Sequence, residues 1–254
     1  MSTGSTEVYR PDALEIVETG DGSRTLFDPD RDVHYSSLHG AHDESRHIFI
    51  DGTKLTHRDS PWHVLELGFG AGINFVQTAA ALDEQLPAGS LVYHAVDYAP
   101  VAADRVDFHD GRAGELVSRV LESVDVDCPS RVSASSSDGA VTLHLHPLPW
   151  SQLELSEGFA DALFYDPFGP KSEPDSWTPH CFEVARRHMG GSALLGTYSA
   201  ATRVKRAMFR ADLHVASAPG PGPKREITFA SRDPDQLRDY ELLDPSDYLD
   251  HPDA

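Results

Sequence analysis

Three carboxylates and three glycines stand where this chain can most readily do chemistry. Glu66 follows the apolar run Val64-Leu65, and Gly68, Gly70 and Gly72 come directly after it at every second position. Asp97 closes a second apolar run, Leu91-Val92-Tyr93-His94-Ala95-Val96, and Asp166 closes a third, Ala160-Asp161-Ala162-Leu163-Phe164-Tyr165. In an open α/β sheet the ligand lies beyond the carboxyl ends of the strands. Acids ending three strands therefore bring three carboxylates to one edge, too much negative charge for a neutral ligand and well suited to a cation. The glycines let the backbone turn sharply and approach that ligand closely. Their spacing is G-x-G-x-G, whereas a dinucleotide fingerprint is G-x-G-x-x-G, so a nicotinamide-dependent oxidoreductase is excluded. Asp97 stands at the distance from the turn at which an acid accepts the hydroxyls of a ribose.

These groups need a scaffold, and the chain alternates in the pattern of one. After the strand ending at Glu66, residues 73–82 read as a helix. Strands follow at 91–96, 141–145, 160–165, 192–198 and 226–230. Helices are expected at 103–124, interrupted around Gly111 to Gly114, at 182–188, ended by Gly190-Gly191, and at 202–209. Alternation of this kind predicts an α/β, Rossmann-like fold: a mostly parallel sheet with helices on both faces. Residues 1–60 read as an N-terminal extension packed on the core, with Ile48-Phe49-Ile50 entering a turn at Asp51-Gly52 as a strand. Residues 61–232 form the core domain. Residues 233–254, rich in Asp and Pro, are expected to be a mobile acidic tail.

Composition sets the limits. The chain has 254 residues and is 39% hydrophobic, enough for a core. No apolar run reaches membrane-spanning length, and the N-terminus lacks the apolar stretch of a signal peptide. With only Cys128 and Cys181, a reducing cytoplasm is the expected setting. Asp plus Glu number 41 against 21 Lys plus Arg, a net charge of −20. Lysine occurs only at positions 54, 171, 205 and 224. Such an acidic, lysine-poor balance resembles proteins of salt-loving organisms and opposes simple electrostatic binding to nucleic acid. The fourteen histidines show no metal-ligand spacing, so no metal is expected. The densest cations are Arg203, Lys205, Arg206 and Arg210, at helical spacing, and Lys224-Arg225. They are the candidates for phosphate contact.

Two motifs resemble known ones. Glu66 with the glycine turn is similar to motif I of class I S-adenosylmethionine methyltransferases, whose ligand is cationic at sulfur and at its amino group. Asp166-Pro167-Phe168-Gly169 resembles the Asp-Pro-Pro-Tyr/Phe motif of enzymes that methylate nitrogen. There the carboxylate and a nearby carbonyl accept the hydrogens of an amine and aim its lone pair at the methyl group, which is catalysis by orientation. The loop from Pro167 to Trp177 lies over this edge. Phe168 and Trp177 are candidates to stack on a base, with Trp177 equally placed to be a hydrophobic plug under the following helix, and Lys171 is a candidate to meet a phosphate.

Three longer blocks extend the resemblance: Tyr35 through Ile50; Leu65 through Phe75, with Gly-Phe-Gly-x-Gly-x-Asn-Phe; and Asp166 through Pro179, continued by Thr197-Tyr198-Ser199 and Gly222 through Glu226. Over roughly residues 20–232 the chain is similar to the methyltransferase half of the MnmC family, in its stand-alone form. The resemblance implies S-adenosylmethionine as cofactor, held by Glu66, Gly68, Gly70, Gly72, Asn74, Asp97 and Asp166. It implies Asp166 as the catalytic group, and Pro167, Phe168, Lys171, Trp177, Lys224 and Arg225 on the substrate side. The substrate it implies is the 5-aminomethyl group of a tRNA wobble uridine, with no obligate protein partner. The family's acid after the fourth strand, expected near Pro147-Leu148-Pro149, is absent, so adenine is expected on backbone groups or apolar side chains. Binding of tRNA is expected to depend only weakly on salt. An aminopropyltransferase of the spermidine synthase type shares the glycine turn and a strand-end acid. A catalytically silent tRNA-binding subunit is the third alternative.

Overall fold

The apolar run Trp62–Leu67 forms β4, the strand about which the molecule is organised. In the computed structural model, which describes residues 13–125, 127–222 and 226–250, β4 lies between two parallel neighbours. On one side are β5 (Leu91–Val96) and then β7 (Val141–His146); on the other are β8 (Ala160–Tyr165) and then β9 (Met189–Thr197). These five strands are buried along most of their length, as expected where helices cover both faces. Even-numbered residues of β4 (Trp62, Val64) join a core with α2 (Ile73–Gln85) and α3 (Gly111–Glu122). Leu65 and Leu67 join a second core with α4 (Pro179–His188) and α5 (Thr202–Arg210). Because β5 and β8 flank β4 on opposite sides, a crevice opens at its carboxyl end, where ligands of such sheets bind.

The sheet is extended by antiparallel strands at both edges. β6 (Val132–Ser135) pairs with β7; β11 (Ile227–Ser231) pairs with β9. Outside β11 come β10 (His214–Ala218) and β12 (Glu241–Leu242). A separate three-stranded sheet of β1 (Glu15–Glu18), β2 (Arg24–Asp28) and β3 (Val33–His34) precedes α1 (Ala41–Ser45). Leu14, Leu26 and residues 48–50 of this region belong to the same core as α2 and α3.

Several sequence expectations are corrected. Residues 46–51 are a π-helix (Arg46–Asp51), not a strand. Ile48, Phe49 and Ile50 are all buried, which an alternating strand with one solvated face would not achieve. Gly52 ends this turn where a Cβ would lie 2.4 Å from the Phe229 ring. The helix expected from Ala103 is only a 3-10 turn, Ala103–Arg105, and α3 begins at Gly111. Gly114 lies inside α3, because the His109 carbonyl stands 2.4 Å from where its Cβ would be. Gly190-Gly191 does not cap α4. The helix ends at His188 and runs straight into β9, whose ladder with β8 is irregular between Ala160 and Ala162. The stretch from Asp233 to Asp250 is fastened to the body rather than mobile. Leu237 is fully buried, Tyr240 stacks on Phe229 at 4.4 Å, and Lys54 pairs with Asp239 at 2.6 Å. α6 (Ser246–Leu249) closes the described chain against α5.

Candidate functional site

The glycine turn joins β4 to α2 with left-handed backbone at all three glycines: φ is +87° at Gly68, +51° at Gly70 and +78° at Gly72. At Gly68 there is also no space for a side chain. A Cβ there would stand 2.4 Å from the Asp166 carbonyl, so the turn and the loop leaving β8 touch backbone to backbone. Gly70 packs on Tyr35. The Gly70 amide donates to Asp97 Oδ2 and the Ala99 amide to Oδ1, both at 3.0 Å. Burial raises the Asp97 pKa, and these amides oppose the rise.

Asp166 stands at the end of β8, its amide bonded to the Leu67 carbonyl at 2.9 Å. Asn74 Nδ2 donates to Asp166 Oδ2 at 2.9 Å. The Tyr198 hydroxyl donates to the Pro167 carbonyl at 2.8 Å. Burial, and then the neighbouring acids Asp166, Glu44 and Glu173, hold the Tyr198 hydroxyl protonated far above its ordinary range. Phe168 meets Tyr35 edge-on at 4.9 Å, with the Arg31 guanidinium 5.9 Å from its ring centre.

A cavity of about 360 Å³ lies between these parts, within the range of about 300–1,000 Å³ for small-molecule pockets. Gly68, Gly70, Asn74, Asp97, Asp166, Pro167 and Phe168 all line it. Four expected members, Glu66, Gly72, Lys171 and Trp177, do not. Glu66 is fully buried beneath the cavity wall, because its even position on β4 turns it toward α2. There it accepts from Asn74 at 2.7 Å and from the Tyr93 hydroxyl at 2.9 Å, and burial raises its pKa well above the usual carboxylate range. Trp177 is a plug and not a stacking platform. It is 5% exposed, packs against Tyr165 and Tyr198, and donates its indole N–H to the Phe168 carbonyl at 2.8 Å. Lys171 is exposed on the loop and outside the cavity lining. Lys224 and Arg225 lie outside the described residues.

The basic face expected on α5 is dispersed. Lys205 is buried, bonded to Glu226 and to Ser217, and Arg206 holds the Tyr248 carbonyl at 2.8 Å. Only Arg203 and Arg210 remain exposed on that helix among the four. Where the usual acid after the fourth strand is missing, Leu148 and Trp150 line the cavity, so that wall is apolar as expected. The residues that sequence reasoning did not single out are Arg31, Tyr35, Glu44, Tyr98, Glu173 and Tyr198. Tyr35, Glu44, Glu173 and Tyr198 lie within the blocks that carried the family resemblance, and that was their one signal. Among the described residues no group of three His, Cys, Asp or Glu side chains is placed to hold a metal ion. No helix among them is long and apolar enough to cross a membrane.

Residues 114–233 match the model of a family described as S-adenosyl-L-methionine-dependent methyltransferase. The match takes in a little under half of the chain. The chain is 32% identical over 218 residues to the tRNA 5-methylaminomethyl-2-thiouridine biosynthesis bifunctional protein MnmC of Ralstonia nicotianae. That alignment covers 82% of the chain and 33% of the relative. The protein of the same name from Hahella chejuensis is 29% identical, with 81% and 35% covered. The chain thus spans about a third of the length of the curated relatives it matches. Among solved structures, MnmC2 from Aquifex aeolicus superposes with a TM-score of 0.68 at 22% identity, covering 91% of this chain and 77% of that one. That likeness shows a shared fold.

The cavity fits the family's cofactor on its own chemistry. Asp97, Asp166, Glu44 and Glu173 against Arg31 give it a negative lining, which attracts a sulfonium and an ammonium group. Gly68 and Gly70, both with left-handed backbone, put no side chain of their own into the cavity they line.

Proposed function

We propose that this methyltransferase transfers a methyl group from S-adenosylmethionine to the amino nitrogen of the 5-aminomethyl substituent on a tRNA wobble uridine. The observation that carries the reading is the placement of Asp166. Its carboxylate is held at a strand end by Asn74, its backbone carbonyl lies against Gly68 of the glycine turn, and Phe168 of the adjoining loop faces the same cavity. When bound, S-adenosylmethionine supplies an electrophilic methyl group on a positively charged sulfur, the kind of group to which a neutral amine adds.

In this proposal Gly68, Gly70 and Gly72 bring backbone against the cofactor, and Asp97 accepts the ribose hydroxyls with the lone pairs not engaged by Gly70 and Ala99. Leu148 and Trp150 give adenine an apolar seat. Asp166 accepts a hydrogen of the acceptor amine, so that the nitrogen lone pair lies along the line of attack. As the nitrogen–carbon bond forms and the carbon–sulfur bond breaks, the nitrogen becomes a cation, and the same carboxylate takes up the proton it sheds. Phe168, with Tyr35 edge-on behind it, offers its face to the uracil ring, and Pro167 holds that loop in place. Lys171, on the exposed side of the loop, is available to a backbone phosphate. The name shared by the MnmC relatives supports the tRNA substrate, and this reading puts the reaction in a reducing cytoplasm.

The test is methyl transfer from labelled S-adenosylmethionine to tRNA bearing 5-aminomethyluridine, with nucleoside analysis. Formation of 5-methylaminomethyluridine supports the reading. Turnover of a polyamine with decarboxylated S-adenosylmethionine in its place would overturn it in favour of aminopropyl transfer.

A further inference from the structure

Beneath the cavity wall lies a hydrogen-bonded chain of buried side chains that the reaction as proposed does not use. An asparagine amide carries two N–H bonds. In Asn74 both point at carboxylates, one to Glu66 Oε1 at 2.7 Å and one to Asp166 Oδ2 at 2.9 Å. Glu66 has no exposed surface, and its other oxygen accepts from the Tyr93 hydroxyl at 2.9 Å. Tyr93 is locked in turn by edge-on contacts with Phe75 at 5.2 Å and Phe164 at 6.1 Å. The chain therefore runs from an aromatic core, through a buried acid and an amide, to the carboxylate at the cavity.

We infer that Asn74 and Glu66 are positioning residues: Glu66, held by Tyr93, aims the Asn74 amide, and Asn74 fixes the plane of the Asp166 carboxylate toward the acceptor amine. This inference rests on the proposed role of Asp166. It differs from an assignment of Glu66 and Asn74 as cofactor ligands, because Glu66 does not reach the cavity and both Asn74 hydrogens are already donated to protein. The chemistry of the buried position follows. Glu66 accepts from two donors at once, which a carboxylate does and a carboxamide cannot do without turning one of its own N–H bonds onto a donor. The first turn of α2, where Asn74 sits directly after Ile73, adds positive potential from its free amides, which favours two neighbouring carboxylates in one place. A donor left unmatched here would have no water to turn to.

The experiment compares wild type with Asn74→Ala and with the nearly isosteric Tyr93→Phe, reading kcat on aminomethyluridine tRNA, Kd for S-adenosylmethionine by calorimetry, and folded fraction by thermal melting. We expect kcat to fall about 10- to 100-fold in Asn74→Ala and by a smaller factor in Tyr93→Phe, with Kd for the cofactor within about threefold of wild type. A loss of cofactor affinity with kcat unchanged in either variant would overturn the inference and make the group a cofactor ligand. So would activity that declines only in step with the folded fraction, which is the mark of a merely structural role. A crystal structure of Asn74→Ala supplies a readout independent of the acceptor. The Asp166 carboxylate should turn or adopt two rotamers, and an unmoved carboxylate overturns the inference. Absence of wild-type turnover with this tRNA would overturn only the proposed substrate.

Discussion

The two walls of the cavity are made in different ways. The cofactor wall consists of the glycine turn, Asp97 and Asp166, which end three adjacent parallel strands held in one register. The opposite wall is assembled from side chains that meet only in the folded chain: Arg31, Tyr35 and Glu44 from the N-terminal region, Phe168 from the loop after β8, and Tyr198 after β9. On the first wall backbone conformation is the constraint, since three glycines have positive φ and one of them touches the Asp166 carbonyl. On the second wall the constraint is ring packing and charge. The comparison teaches that cofactor binding is tied to the fold itself, while acceptor choice rests on contacts that can be exchanged one by one.

Substitutions on each wall test that division. The largest effect is expected for Asp166→Ala: kcat should fall about 1,000-fold while calorimetry shows cofactor Kd within about threefold. A variant retaining a tenth of wild-type turnover would move the orienting role to the acceptor wall. Next comes Gly68→Ala, which combines a left-handed backbone with an overlap against the Asp166 carbonyl. It should lower stability in urea by about 3 kcal/mol. Asp97→Asn keeps the shape but weakens acceptance from the Gly70 amide and from the cofactor hydroxyls. Cofactor affinity should fall about 30-fold, roughly 2 kcal/mol, with little change in acceptor KM. On the acceptor wall, Phe168→Ala should raise KM for tRNA about tenfold through lost stacking and leave cofactor Kd unchanged. Trp177→Phe, which alters only a buried plug and its single donor, should have a smaller effect on KM.

The smallest effect lies beneath the apolar part of the wall. His94 and His146 face each other at 2.8 Å under the segment that carries Leu148 and Trp150. Burial first, and then the neighbouring His144 and Arg131 among other charges, depress their pKa values to about 3 and about 4. Both are therefore neutral in the folded protein over the range where an unfolded histidine, at about 6.5, takes up a proton. The unfolded state binds more protons below 6.5, so stability is complete above that pH and is lost as pH falls toward 4. His94→Gln should make this fall in melting temperature shallower. An unchanged profile would show that other groups control it.

What was legible in the sequence follows from how local each constraint is. The glycine turn, the strand-end acids Asp97 and Asp166, and the parallel core are all written in short runs of residues, and each stands where spacing put it. Glu66 misled because its neighbours identify a strand end but not which face the side chain takes; the even register of β4 buries it. Trp177 and Lys205 misled in a related way. A lone aromatic on a loop and a lysine among arginines look exposed, until Phe182 and Tyr165 enclose one and Glu226 and Ser217 pair with the other. The acidic stretch after Asp233 hid two anchors, the buried Leu237 and Tyr240, the latter stacked on Phe229 and bonded to the Gly52 carbonyl 188 residues away. Apart from Phe168, the acceptor wall was illegible to spacing, because its members come from three separate regions of the chain.

The nine-stranded sheet ends at β12 on one side, a strand of two residues that pairs only with Ala216 and Ser217. Unpaired backbone along a sheet edge is a template for strands of other molecules, and short, charged edge strands are one way proteins suppress that templating. Glu241 gives this edge both attributes, brevity and negative charge. Removal of everything after Arg232 would uncover the five residues of β10 as the new border. The trimmed chain would then be prone to edge-to-edge self-association.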